Sequence, residues 1–272
     1  MSDIQDIPAA QYHAGKGVSK SMLDRLAQSP AHLQAWMKAP REETDALTVG
    51  TLTHTAVLEP EKFGEGKSHW TKPDGMSFAT KEGKAWKAEK QLGSSLPIIT
   101  ADTARSLDGM ANAVRSHTIA VELLAKGKAE QSVYAIHPAT GVEIRGRMDW
   151  ITEDESGPLI VDLKTTEDAR DFAKSVANYR YHVQAALYSD LLELSLGKKA
   201  VFVFIVVEKS APHGIRIVTL DTNSLAAGRL DYERLLVVYK ECVDSGEWPA
   251  YPVRVETVEL PPWAFKTAMM PA

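Results

Sequence analysis

The sequence predicts an α/β (α+β) protein with a central mixed β-sheet flanked by helices. The patterned segments run in the order helices, hairpin, strand, helix, strands, helix, which suits a sheet covered by helices. The hydrophobic period changes to two at "QSVYAIHPATGVEIRGRMDWI" (131–151), giving two strand-like runs about a turn at Pro138 to Gly141. "AVFVFIVV" (200–207) is almost wholly apolar, as expected of a central strand covered on both faces.

Each element follows in order. Residues 1–17 are polar and predict a loosely held arm. Ser19 suits an N-cap for "KSMLDRLAQ", and Ser29-Pro30 starts a second helix through Trp36. "ALTVGTLTHTAVL" (46–58) reads as a helix that buries Leu47 and Leu58, holds His54, and stops at Pro60. From Phe63 to Gly93 the chain is rich in Gly and Lys, and predicts a loop followed by a basic helix with Lys81, Lys84, Lys87 and Lys90 at helical spacings. A long helix is expected from Ala101 to Lys126, capped near Gly127. After the hairpin comes the strand "PLIVDLKTT", then a helical stretch broken near Asn178 and ended by Gly197. "GIRIVTL" adds a strand, and a closing helix runs from an Asp or Thr cap to Gly246. The tail from Trp248 is Pro-rich and irregular. No internal repeat interrupts this order, so 1–272 reads as one domain with the 63–93 excursion.

Composition narrows the class. With 44% hydrophobic and 25% charged residues in 272, the chain can bury a sizeable core and does not resemble a disordered one. No apolar run approaches the roughly 20 residues that span a bilayer, and the first residues have no secretory pattern, so a cytoplasmic location is expected. The single cysteine, Cys242, excludes an internal disulfide, a four-cysteine iron–sulfur cluster and a cysteine zinc site, and suits a small core residue. A net charge of -5 does not by itself suggest a polyanionic partner.

Against that background, "IVDLKTT" (160–166) stands out. Asp162 and Lys164 lie two apart in a strand and therefore share a face, where a buried strand is normally apolar. They form either an ion pair or part of a reactive site. Asp149, in "GRMDW", closes the preceding strand, and the turn between can set both carboxylates side by side. Two such oxygens suit a hard cation such as Mg2+, and Lys164 would then point at an attacking water. Arg147, two before Asp149, is set either to hold a phosphate or to pair with a local Glu. The lysines of 81–90 belong either to a solvated face or to a phosphate-contacting arm.

The series Asp149, Asp162-Leu163-Lys164, with Gln184 and Tyr188 on one face of the next helix, resembles the PD-(D/E)XK nucleases, and most nearly their RecB-like branch. "VGTLTHTAVLEP", "TKEGKAW", "VSKSMLDRLAQSPAHLQAW" and "WPAYP" are similar to RecE-like (exonuclease VIII type) phage or prophage exonucleases. The first motif departs from the family pattern, since Met148 and not Pro precedes Asp149. The resemblance implies that His54, Asp149, Asp162 and the Leu163 carbonyl hold two Mg2+ ions, with Mn2+ as a substitute. It makes Lys164 the water activator, with Gln184 and Tyr188 positioning lysine or phosphate. Arg147, Thr165, Thr166, Lys81 and Lys84 become candidate DNA contacts. The activity implied is 5′-to-3′ digestion of double-stranded DNA ends by a toroidal homo-oligomer, a trimer or tetramer. The resulting 3′ strand would pass to a RecT/Bet-like single-strand annealing protein for recombination and repair. A RecB- or Cas4-like single-strand nuclease, an endonuclease of the same fold, and a non-catalytic DNA-binding module are the alternatives. An idle module would be expected to lose the acids that remain here.

Overall fold

The computed structural model describes residues 4–39, 45–155 and 157–261. Its order is β1 (Ile4–Gln5), α1 (Ala9–Ala14), α2 (Lys20–Gln28), α3 (Pro30–Lys38), α4 (Asp45–Leu58), β2 (Trp70–Lys72), α5 (Lys81–Gln91), β3 (Ile98–Thr100), α6 (Ala101–Ser116) and α7 (Thr118–Leu124). There follow β4 (Lys128–Ile136), β5 (Glu143–Asp154), β6 (Gly157–Thr166), α8 (Phe172–Asn178), α9 (Tyr181–Leu196), β7 (Val201–Glu208), β8 (Ile215–Val218) and α10 (Thr222–Ser245). Strands β1-β4-β5-β6-β7-β8 form one sheet in that order, while β2 and β3 pair separately and in parallel. Within the large sheet only β6 and β7 run parallel, so it is mixed and mostly antiparallel. As "AVFVFIVV" predicted, β7 is an inner strand, and its Phe202, Phe204 and Val206 enter one core while Ile205 and Val207 enter the other.

Helices cover both faces because the strands are apolar on both. One core joins Met22, Leu23 and Leu33 to Leu187 and Leu191 of α9 and Tyr232 and Leu235 of α10. The other joins Leu52 and Ala56 of α4 to Leu107 and Met110 of α6, over Val161 and Leu163. The caps are those that the sequence suggests. Ser19 accepts from the Met22 amide, Ser29 from that of His32 with Pro30 at the first turn, and Asp221 from Asn223 and Ser224. Gly197 and Gly246 end α9 and α10 in the left-handed region. Cys242 is buried on α10, and the helical stretch after β6 does break beyond Asn178.

Four expectations change. Residues 4–17 are not loosely held: β1 adds to the sheet beside β4, Tyr12 is buried, and Arg145 donates to the Tyr12 and Gly15 carbonyls. A polar segment can be tied down by hydrogen bonds that no apolar pattern announces. The helix expected over 101–126 is two, because the His117 side chain accepts from the Ala120 amide and starts α7 anew. The 63–93 excursion holds β2 as well as α5. Leu47 is 56% exposed, whereas Leu58 is buried as expected. Residues 1–3 and the tail beyond 261 lie outside the described residues.

Candidate active site

The site forms where two neighbouring strands part. Pairing between β5 and β6 runs from Asp154↔Gly157 to Trp150↔Val161 and goes no further. Beyond it β5 stays with β4 as far as Glu143, and β6 stays with β7 as far as Thr166. Asp149 and Asp162 are the first residues past the split. The Leu163 amide, which has lost its partner across the sheet, donates to Asp149 Oδ2 at 2.8 Å. A carboxylate thus satisfies a backbone donor that the fork would otherwise leave unpaired.

The alternation of β5 also slips here. Met148 lies in the core beneath α9, yet Trp150, two residues on, packs against the core beneath α4. On the facing strand Glu130, between Ala129↔Trp150 and Gln131↔Met148, takes a left-handed φ of 54°. A non-glycine residue in that region is strained, and such strain collects at functional sites.

Two helices close on the fork from opposite faces. From α4, His54 sets Nε2 2.9 Å from the Leu163 carbonyl and Nδ1 3.6 Å from Asp149 Oδ1. A carbonyl only accepts, so Nε2 carries the proton in that bond and Nδ1 is left facing the carboxylate. Ligating atoms of His54, Glu130 and Asp149 all lie within 4.8 Å of one another. From α9, Gln184 Nε2 donates to Asp162 Oδ1 at 2.6 Å. Lys164 Nζ is 2.5 Å from Asp162 Oδ2, a buried oxygen held by this ammonium.

Three carboxylates share this small volume, and the electrostatics follow. Burial first, then Asp162 and Glu130, push the Asp149 carboxyl up to about 7 against the opposing pull of His54 and Lys164. Burial alone would lower the Lys164 ammonium, but Asp162 and Asp149 outweigh it and hold it above its ordinary value. Lys164 is therefore a fixed cation.

The residues expected here are only partly assembled. His54, Asp149, Asp162, Leu163, Lys164 and Gln184 meet. The Leu163 carbonyl accepts from His54, and Gln184 bonds Asp162, neither of which the motif alone specified. Tyr188 is buried behind the fork, where Asp162 and Asp149 both act on its phenol. Its ring packs beside Phe202 and over Gly146, where even a Cβ would come within 2.8 Å of it. The aromatic ring against Lys164 is Tyr181, centroid 4.8 Å from Nζ.

Arg147, open between phosphate and Glu, pairs with Glu130 at 2.6 Å and also donates to the Ile7 carbonyl and Ser132. Thr166 is buried with its hydroxyl donated to the Asp168 carbonyl, and Thr165 is half-buried opposite Val207. Lys81 and Lys84 are exposed on α5. The rest of "TKEGKAW" is accounted for by folding. Thr80 caps α5, Gly83 lies against the Ser77 backbone, and Trp86 stacks on Phe78. Glu130 is the site residue that sequence reasoning missed, and its only signal was an acid placed opposite Asp149 once the hairpin register is drawn.

A family model, the PDDEXK-like domain of unknown function (DUF3799), matches residues 19–261. The chain belongs to this PDDEXK-like family. The match spans the whole fork and both of its helices, and the chain carries a PDDEXK-like, nuclease-type domain. The crystal structure of a candidate exonuclease from Eubacterium rectale shares the fold, with a TM-score of 0.61 at 13% identity over 97% of this chain and 99% of that one. The crystal structure of SSO0001 aligns over 70% of this chain and 86% of that one at 14% identity, with a TM-score of 0.29 that is too low to bear on the fold. No curated protein matches this PDDEXK-like chain in sequence. Among the described residues no helix is long and apolar enough to cross a membrane.

Proposed function

We propose that this protein is a Mg2+-dependent exodeoxyribonuclease that resects double-stranded DNA from its ends, 5′ to 3′. It would release mononucleotides and leave a 3′ single strand for annealing-type recombination. The observation that carries the reading is the fork: acids on two parting strands, a lysine beside them, and a histidine and a third acid within ligand distance. Polarity, the exonuclease mode and the recombination role rest on the RecE-like sequence resemblance.

The residues fit divalent cations. The bond at Nε2 leaves His54 Nδ1 turned to the Asp149 carboxylate, ligating atoms of His54, Glu130 and Asp149 lie within 4.8 Å of one another, and Asp162 brings a buried carboxylate beside them. His54, Glu130 and Asp149 would hold one ion, and Asp149 with Asp162 and the Leu163 carbonyl a second. Oxygen ligands favour Mg2+, and the imidazole admits Mn2+. When bound, the ions supply charge stabilisation for the attacking and leaving oxygens of phosphodiester hydrolysis.

The chain's own groups do the rest. Lys164, held cationic, donates hydrogen bonds to the attacking water and offsets the negative charge that develops on it. As a fixed cation it orients this water and does not take its proton. Gln184 keeps one Asp162 oxygen occupied, which aims the other at Lys164 and the fork. Attack at phosphorus breaks the bond to the 3′ oxygen and releases a 5′-mononucleotide.

With a net charge of -5, DNA retention is assigned to topology, a ring of three or four copies around the duplex, and a RecT/Bet-like annealing protein is the partner that takes up the product strand. The test is digestion of linear duplex labelled at either end, with Mg2+, beside a covalently closed circle. Early loss of the 5′ label with the circle intact is expected. Cleavage of the circle overturns the exonuclease mode, and early loss of the 3′ label overturns the polarity.

A further inference from the structure

Two neighbours hold the Lys164 ammonium, Asp162 at 2.5 Å and the Tyr181 ring at 4.8 Å. The first is conditional. A cation held at the fork would compete with Lys164 for the Asp162 carboxylate and would loosen this ion pair. The second contact is unaffected, because a ring face attracts the ammonium without giving up a ligand atom. We infer that Tyr181 is a positioning residue for the reaction proposed above, its ring keeping Lys164 aimed once Asp162 turns its charge to a cation. The inference rests on that reading for its role in hydrolysis, and on the contact alone for its geometry.

The surroundings fix the ring. Tyr181 is the first residue of α9, and Arg180 before it takes a left-handed φ of 55°. A bulky residue holds that conformation only where its neighbours enforce it. Here Arg180 is pinned by Asp24 of α2 at 3.1 Å and Asp231 of α10 at 3.0 Å. Phe172 stacks on the Tyr181 ring at 6.0 Å, with Phe204 at 6.1 Å and Tyr179 at 5.5 Å beside it. Lys20 approaches the same ring at 5.8 Å, but its ammonium is taken by Asp24 and the Tyr179 carbonyl, each at 2.7 Å. Of the two lysines near this ring among the described residues, Lys164 is the one paired with Asp162 at the fork.

The test compares Tyr181→Phe, which keeps the ring face, with Tyr181→Leu, which removes it. On linear duplex with Mg2+, Leu should lower kcat about tenfold with little change in KM, while Phe stays within about twofold of the parent. A merely structural tyrosine would lower both parameters or neither, and would not separate Phe from Leu. A second readout needs no catalysis: amine-directed labelling of Lys164, read by mass spectrometry, with Mg2+ and no DNA. Lys164 should label several-fold faster in the Leu variant than in the parent or the Phe variant. If Leu lowers the unfolding midpoint, Tyr181→Met keeps the bulk without the ring and takes its place. Equal labelling in all variants, or a Phe variant as impaired as Leu, overturns the inference. If the parent digests no DNA, the hydrolytic reading fails while the labelling still decides the contact.

Discussion

Helix α9 meets two sheltered carboxylates, and the fold treats them in opposite ways. Asp190 is saturated: Arg229 Nε donates to one oxygen at 2.7 Å, a second guanidinium nitrogen to the other, and the Tyr232 hydroxyl adds a bond of 2.5 Å. One acid faces one base, and burial together with Asp190 raises the Tyr232 phenol far above its ordinary range. In the fork, Arg147 meets Glu130 and Lys164 meets Asp162, while Asp149 has no Lys or Arg paired with it among the described residues and is driven up to about 7. A structural ion pair matches its charges and fills its acceptors. The fork leaves Asp149 over, and the positive charge it lacks is what a cation would bring.

The largest effect that separates the two clusters is on rate. Lys164→Ala should lower kcat on linear duplex on the order of 10²–10³-fold while DNA binding persists, since it removes a donor aimed at developing charge. Asp190→Ala should leave kcat near that of the parent at temperatures where the variant is folded. Initial rates on end-labelled duplex decide it, and equal losses in the two variants would erase the distinction.

Stability should divide the other way, by a smaller amount. Asp190→Ala leaves the Tyr232 hydroxyl buried without a partner and Arg229 without its acid, at a cost of about 2–3 kcal/mol. Urea unfolding followed by circular dichroism measures this. A midpoint like the parent's would mean that Asp190 is not the structural member of the comparison.

The same contrast explains what could be read from the sequence. The inner strand, the hairpin, the helix caps and the break after Asn178 were legible because each depends on local pattern. So was the pairing of Asp162 with Lys164, since residues two apart in a strand share a face. Gln184 was placed on the right helix face, but its bond to Asp162 needs the distance between α9 and β6. Glu130 was hidden because period-two reading assumes unbroken alternation, and it sits at the slip. Tyr181 was not singled out, since the contact of its ring with Lys164 depends on the kink at Arg180, which no sequence pattern marks. The docking of the arm through Arg145 and Arg147 leaves no hydrophobic trace at all.

The smallest effect probes the fork's unmatched charge directly. Asp149 binds its proton more tightly folded than unfolded, with a value of about 7 against an ordinary 3.8. Below the ordinary value it is protonated in both states and costs nothing. The cost grows as pH rises between the two values and stands in full above the upper one. Asp149→Asn removes the charge, so without added cations it should stabilise the protein on the order of 1 kcal/mol above neutrality and make little difference in acid. Mg2+ should raise the unfolding midpoint of the parent above neutrality and leave the Asn variant unmoved, because the cation replaces the proton on a carboxylate that the variant lacks. Parallel midpoint curves for the two proteins across this range would show that Asp149 carries no such load. The fork would then resemble Asp190, with its charge already balanced by the chain.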